Sequence, residues 1–382
     1  MAISFTETPD NYNTTGNPLR YVFTSNQTAQ ANFTYQVRIE VDGIEVEVHK
    51  VFVTQGTYGY FDATDIAERY ANIPIIDDSI DWDASNYVEI KITVHENYGA
   101  TPVNQLSVNN TQNYVKSKLN KANWIQHIPS SYIFDNNAKW LTNYPITIKR
   151  YIDLNYDNIL TFITNEEVLF INVSAYDSSG VLVDTNSDST TVYKVTNYTI
   201  RRSTLLGLGF TSGQIDSTSY LTVQLTDGMG SSSELYTLWI DDRCVRISTS
   251  YIMFMTSIGE LFTYKFTNNS KVNGNVQSVS LETNFGQLDE DGTFTYTRGG
   301  LEDKVKIYKD GLELSTDWLS ETEQQWLVKE LTTSPVVYLW NGIEWMRVRV
   351  NRSSYEYKQD KLEMNFREFF RIETDNDTST VV

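Results

Sequence analysis

The sequence is poor in several residue types, and each shortage removes a class of explanation. A single cysteine, Cys244, stands in 382 residues, so no intrachain disulfide staples the fold and packing must hold it. A buried or half-buried free thiol is its expected state. Three histidines, His49, His95 and His127, leave little room for imidazole chemistry, and none has a second ligand at a spacing such as His-x-x-x-His. Basic residues are outnumbered, 30 against 49 acids, for a formal charge of −19. That balance is wrong for gripping nucleic acid, because phosphate binding needs clustered Lys and Arg, although it suits a wall that DNA slides past. No stretch approaches the roughly 18 consecutive apolar residues of a membrane span. The opening Ala2-Ile3-Ser4-Phe5-Thr6-Glu7-Thr8-Pro9 lacks the basic and apolar regions of a signal peptide. Neither a leader nor a membrane anchor is expected. The Asn-x-Ser/Thr triplets at Asn26, Asn32 and Asn197 are what a chain this rich in Asn, Ser and Thr produces by chance.

What is present is the palette of a pleated, half-buried surface: 25 Tyr and 17 Phe against 7 Pro, with 40% hydrophobic residues and only 21% charged. The length points to two or three domains at roughly 150 residues each. The expected fold is mostly β and multidomain, built from β-sandwich or barrel modules, with one flanking α-helix on each end module.

An N-terminal β module is expected at residues 1–98. Tyr35, Val37, Ile39 and Val41 alternate with polar residues, Asp42-Gly43 follows, and Ile44, Val46 and Val48 resume; an Asp-Gly between two period-2 runs is a hairpin signal. Val51 and Val53 fall on the opposite parity from Val48, which predicts a bulge near His49 and Lys50. Asp62-Ala63-Thr64-Asp65 opens a short helix carrying Ile66, Ala67 and Tyr70, stopped by Pro74. Val88, Ile90, Ile92 and Val94 close the module as a strand with one face buried. Residues 99–140 read as an irregular excursion or linker with one weak helix. A central sandwich is expected at 141–245, from Ile146, Ile148 and Ile152 through Val168–Val173, Leu221–Leu225 and Leu235–Ile240, with turns such as Asp177-Ser178-Ser179-Gly180. The C-terminal module, 246–382, carries hairpin signals at Asp310-Gly311 and Asn341-Gly342. Between them Ser320 and Glu323 form a capping box for a helix with Trp326, Leu327 and Leu331, and Pro335 follows its end. Leu362, Met364 and Phe366 form a last strand before Phe369-Phe370.

Catalytic signatures fail on inspection. Gly228-Met229-Gly230-Ser231-Ser232-Ser233 lacks the second glycine of a nucleophile elbow and the helix after it. Gly207-Leu208-Gly209-Phe210 has no lysine where a phosphate loop needs one. Asp153-Leu154-Asn155-Tyr156-Asp157 spaces oxygen atoms as calcium loops do, but the sixth position is Asn158 and the twelfth Thr164, so a turn is the better reading. Asp289-Glu290-Asp291-Gly292, and Asp77-Asp78 with Asp81 and Asp83, read as solvated acidic turns. Paired carboxylates for glycoside cleavage depend on a separation of roughly 5 to 10 Å in space, which a sequence does not display. Trp124, Trp140, Trp340 and Trp345 suit sugar stacking, though such residues more often fill cores or interfaces. No catalytic residue, cofactor or metal site is assigned.

Asn17-Pro18-Leu19-Arg20-Tyr21-Val22-Phe23, Trp140-Leu141-Thr142-Asn143-Tyr144-Pro145, Ser334-Pro335-Val336-Val337-Tyr338-Leu339 and Ser353-Ser354-Tyr355-Glu356-Tyr357-Lys358 resemble segments of virion structural proteins of tailed phages that infect Bacteroidetes, including crAss-like phages. The resemblance implies a tail, baseplate-hub or neck protein, made in the host cytoplasm and resident in the virion. Its sheets would join with those of other copies in a homo-oligomeric ring around the DNA channel, its partners being itself and other virion proteins, with DNA only passing through. Asp42, Gly43, Asp310, Gly311, Asn341 and Gly342 are then the expected subunit-contact hairpins. The alternatives are a carbohydrate- or receptor-binding adhesin module and, third, an Asp/Glu glycosidase.

Overall fold

The computed structural model describes residues 3–72, 82–83, 86–100, 103–135, 137–165, 168–191, 194–241, 249–283, 287–295, 300–351, 368–374 and 378–381. It is mostly β, and it divides into two compact units: Met1–Arg243 with Phe254–Thr263, and Cys244–Met253 with Tyr264–Val382. Among the described residues no sheet closes into a barrel. Cys244 and the expected strand at Leu362–Phe366 lie outside the described residues.

The first unit opens with β1 (Ile3–Glu7), β2 (Asn13–Thr14), β3 (Arg20–Ser25), β4 (Thr34–Val41), β5 (Ile44–Val51), β6 (Tyr58–Asp62), α1 (Thr64–Tyr70), β7 (Trp82–Asp83), β8 (Tyr87–Tyr98) and β9 (Val103–Val115). Two sheets, ordered β1-β3-β6 and β2-β9-β8-β4-β5, share one core. The period-2 alternation does the work: Tyr21 and Phe23 from one sheet meet Tyr35, Val37, Ile39, Ile90, Ile92 and Val94 from the other, with Ile66 and Ala67 of α1 beside them. The β4–β5 register slips between Ile39 and Glu40, which face Glu47 and Glu45, so Val46 is the extra residue. The bulge therefore lies closer to the turn than the expected His49 and Lys50. Asp62, rather than the N-cap Ala63, secures the start of α1: its Oδ1 accepts from Thr64 N, Thr64 Oγ1 and Leu19 N.

Residues 103–115, expected to be irregular, form the long strand β9. Its Asn109-Asn110-Thr111-Gln112-Asn113 run has poor strand propensity and no apolar alternation, but β8 offers it a ladder from Tyr87–Val115 to Tyr98–Val103. Tertiary pairing overrides local preference there. The single short helix expected in this region is α2 (Lys121–Gln126), capped by Asn120.

The unit continues with β10 (Arg150–Ile152), β11 (Asn158–Ile163), β12 (Val168–Tyr176), β13 (Leu182–Thr191), β14 (Val195–Ile200), α3 (Arg202–Gly207), α4 (Ser212–Ser217), β15 (Tyr220–Thr226) and β16 (Tyr236–Ile240). A five-stranded sheet, β10-β16-β15-β12-β13, and a three-stranded sheet, β11-β14-β7, contribute to a second core around Trp140, Phe162, Ile171, Val173, Tyr198 and Leu238. Asp177–Gly180 makes the expected turn, with Asp177 N donating to Val181 O and Gly180 at φ 79°.

The second unit is built on a mixed run of long and short strands: β17 (Ser250–Met255), β18 (Leu261–Phe266), β19 (Asn268–Thr283), β20 (Gln287–Leu288), β21 (Phe294–Thr295), β22 (Gly300–Ser315), α5 (Glu321–Thr333), β23 (Val337–Trp340), β24 (Trp345–Val350), β25 (Phe369–Thr374) and β26 (Thr378–Val381). The main sheet is ordered β18-β17-β23-β24-β25-β22-β19, with β26 also on β22. The turn of the β17–β18 hairpin belongs by compactness to the first unit. Ser320 caps α5 by accepting from Glu323 N, and Trp326, Leu327, Val328 and Leu331 form its buried stripe. Strands β19 and β22 pair along almost their whole length, and the other side of β22 carries β25 at Gly311–Ser315 and β26 at Val305–Tyr308.

Candidate assembly surfaces

The described residues weighed for chemistry are each engaged in structural contacts. His49 Nε2 lies 2.7 Å from Glu47 Oε2, and Arg69 donates to Glu47 Oε1 at 2.6 Å. The hydrogen bond from His49, with Arg69 beside it, holds the Glu47 carboxyl below the usual carboxylate range. His95 sits on the other face of the same sheet, as its pairing with Gln36 requires; burial, then the Arg38 charge, lowers its pKa. His127 stacks on Tyr132 at 5.6 Å, and burial lowers its pKa. Asp153 Oδ1 accepts from Asn155 N and Nδ2, while Asp157 pairs with Arg201 at 3.1 Å, so the alternating oxygens cap a turn. In the serine run, Asp227 Oδ1 accepts from Met229 N and Ser231 N, and the buried Ser233 hydroxyl accepts from Leu225 N. Gly209 (φ 104°) turns the chain between α3 and α4 and Phe210 is buried. Asp77, Asp78 and Asp81 lie outside the described residues. Among the described residues no three His, Cys, Asp or Glu side chains are grouped to hold a metal, and no helix is long and apolar enough to cross a membrane.

Several of the aromatic side chains are packed against other groups. Trp140 is buried and its Nε1 donates to Glu234 O at 3.0 Å. Trp340 and Trp345 meet edge to face at 5.3 Å. On the five-stranded sheet Tyr176, Tyr220 and Trp239 occupy one cross-strand row. Their centroids are 4.9 and 4.8 Å apart, and Lys149 Nζ lies 3.6 Å from the Trp239 centroid. Rings stacked on one another present edges to solvent, so this row stiffens the sheet rather than offering a flat platform to a sugar.

The deepest polar cluster is structural too. Arg150 and Glu260 pair at 2.8 Å with side chains 3% and 1% exposed. Arg150 Nη2 donates to Ile159 O at 2.9 Å, its guanidinium lies 4.2 Å from the Phe262 ring centre, and Glu260 Oε2 accepts from Thr142 Oγ1 at 2.7 Å. This network pairs both charges, leaving only the buried Arg150 Nε without a hydrogen-bond partner, and ties the Thr256–Glu260 turn into the first unit.

The expected contact hairpins fare differently. Asp42 (φ 49°) and Gly43 (φ 81°) form the two-residue turn of β4 and β5, both exposed, with Asp42 N donating to Glu89 O. Asn341-Gly342 also turns the chain between β23 and β24, but in a four-residue loop, Trp340 facing Trp345 and Asn341 Oδ1 accepting from Ile343 N and Glu344 N. Asp310-Gly311 is no turn. Both residues lie inside β22, facing Gly274 and Asn273 of β19, and Gly311 also faces Glu373 of β25. A ladder on both sides of β22 near Gly311 keeps the backbone extended and overrides the dipeptide's turn preference.

Two exposed surfaces stand out among the described residues. The first surrounds β5 and β6, each an edge strand of its sheet. Ile44 (70% exposed), Val48, Phe52 (65%), Tyr58 and Tyr60 stand in solvent there, with the Glu47–His49–Arg69 cluster alongside. The second is on the second unit. Arg347 and Arg349 project from β24 on either side of the buried Val348, and Arg349 faces Glu373, whose neighbour two residues back is Arg371. All three arginines are exposed. Arg347 and Arg349 line a polar cavity of about 470 Å³ with Thr332, Ser334, Pro335 and Val337 at the end of α5. That helix has no basic residue in its last turn, so the arginines supply the positive charge its free carbonyls favour. None of the three arginines was singled out from the sequence; the alternation of Arg347, Val348 and Arg349 is the signal that marks the first two, whereas Arg371 joins them only through strand pairing.

No protein-family model matches the chain, and a search of curated proteins finds no match either.

Proposed function

We propose that this chain is a non-enzymatic structural component of a tailed-phage particle, in the tail, baseplate hub or neck, and that copies of it join in a ring around the DNA channel. The observation that carries the reading is the open β5–β6 margin. Among the described residues nothing pairs with the outer edge of β5, and aliphatic and aromatic side chains crowd beside it. An unpaired edge beside exposed apolar side chains is a ready template for association with another chain. The Val46 bulge and Lys50 oppose continuous strand addition, so the joint is made chiefly by Ile44, Val48, Phe52, Tyr58 and Tyr60. A net charge of −19 suits a lumen that DNA must leave quickly.

The test is the solution mass by light scattering across a concentration series, with negative-stain imaging of what assembles. Closed rings are expected, and Val48→Lys with Phe52→Lys should return them to smaller species. A strict monomer that binds glycans on an array would overturn the reading in favour of an adhesin.

A further inference from the structure

The turn between β20 and β21, a hairpin that lies between β19 and β22 in the chain, is the most acidic exposed turn among the described residues of the second unit. Asp289 N donates to Thr293 O and Gly292 N to Asp289 O, which closes the turn and leaves Glu290 and Asp291 at its tip in solvent. The arginine face lies on the sheet that holds β19 and β22, away from their Thr283–Gly300 end. Arg371 faces Glu313 of β22, and the last β19–β22 pair is Thr283–Gly300. From Glu313 to Gly300 the strand rises about 3.4 Å per residue, so that end of β22 is about 40 Å from the Arg371 row. Even folded straight back, the chain from Thr283 to Asp289 recovers only about 20 Å of that. The acidic tip therefore falls short of its own chain's Arg371.

No described carboxylate forms an ion pair with Arg347, Arg349 or Arg371, in a chain where acids outnumber bases 49 to 30. We propose that this face receives the Glu290–Asp291 tip of a neighbouring copy. The contact is heterologous, tip of one copy to face of the next, and such contacts propagate into rings or filaments. Guanidinium forks on a strand suit carboxylates on a tight turn. The inference rests on the self-assembly reading above but uses a surface separate from the β5–β6 margin.

The experiment is a charge swap in the full chain. One variant carries Arg347→Glu and Arg349→Glu, the other Glu290→Lys and Asp291→Lys; circular dichroism and melting temperature confirm that both fold. Each alone should weaken self-association by about tenfold or more, because like charges then meet. An equimolar mixture should regain wild-type assembly, since the glutamate face of one variant meets the lysine tip of the other, and native arginine meets native carboxylate at the alternate joints. Assembly of the single variants at wild-type strength, or failure of the mixture to recover, overturns this contact and leaves the ring standing on its β5–β6 margin. A wild type that stays monomeric at every concentration overturns both. If the arginine variant assembles normally but loses retention of a short DNA duplex in a gel shift, the face serves phosphate and the proposal is wrong.

Discussion

Replacing Glu260 with glutamine keeps its size and removes its charge, which leaves Arg150 buried against Phe262 and Tyr236 with an uncompensated guanidinium. Breaking one side of such a pair costs about 3–5 kcal/mol, and urea denaturation should show a loss of that order. The double change Arg150→Met with Glu260→Leu should recover much of it, because neither charge then needs a partner. A second residue sets acid sensitivity. Burial works against the Asp62 carboxylate, but hydrogen bonds from Thr64, Tyr60 and Leu19 outweigh it and hold its pKa below the ordinary carboxylate value. A depressed folded-state pKa contributes stability above the unfolded value, about 4, and loses it as pH falls through the folded one. Melting temperature against pH should therefore fall less steeply below about pH 4 for Asp62→Asn than for the native chain. Asp62 was legible as part of the start of a helix, but the buried pair was not: Arg150 and Glu260 are 110 residues apart, and nothing in either neighbourhood announces the other.

Elements were legible where the signal is local. Asp42-Gly43 was read correctly because both residues adopt the positive φ that this dipeptide favours. The same letters at Asp310-Gly311 were misread, since the deciding partners, β19 and β25, lie more than 30 residues away in each direction. Strand β9 was hidden by its polar composition, whereas β8 beside it announced itself through Val88, Ile90, Ile92 and Val94, all buried. Helix α5 was the clearest case, its start marked by Ser320 and its inner stripe by Trp326, Leu327 and Leu331. Ser320→Ala removes the acceptor for Glu323 N and should destabilise the second unit by about 1 kcal/mol, read as a lower denaturation midpoint with an unchanged slope. Edge strands belong to neither category, because whether a strand has one neighbour or two is a property of the finished sheet.

At the scale of the whole molecule, the two proposed joints should answer salt in opposite ways. Association through Ile44, Val48 and Phe52 brings together chains of charge −19, and screening relieves that repulsion. Association through Arg347, Arg349 and Arg371 is attractive and is weakened by the same ions. Light scattering from low salt to about 1 M, where the screening length is near 3 Å, should show assembly of the arginine double variant strengthening while the tip-to-face contribution of the native chain declines. The chain's path has a further consequence. It leaves the first unit after Arg243 and returns for Phe254–Thr263, bringing Glu260 to Arg150. A ribosome adding about 5–20 residues per second needs roughly 5–20 s to cover the 110 residues between that arginine and its carboxylate. For that interval the nascent first unit holds a guanidinium whose counter-charge has not been made, so its core closes only after translation has passed through the opening segment of the second.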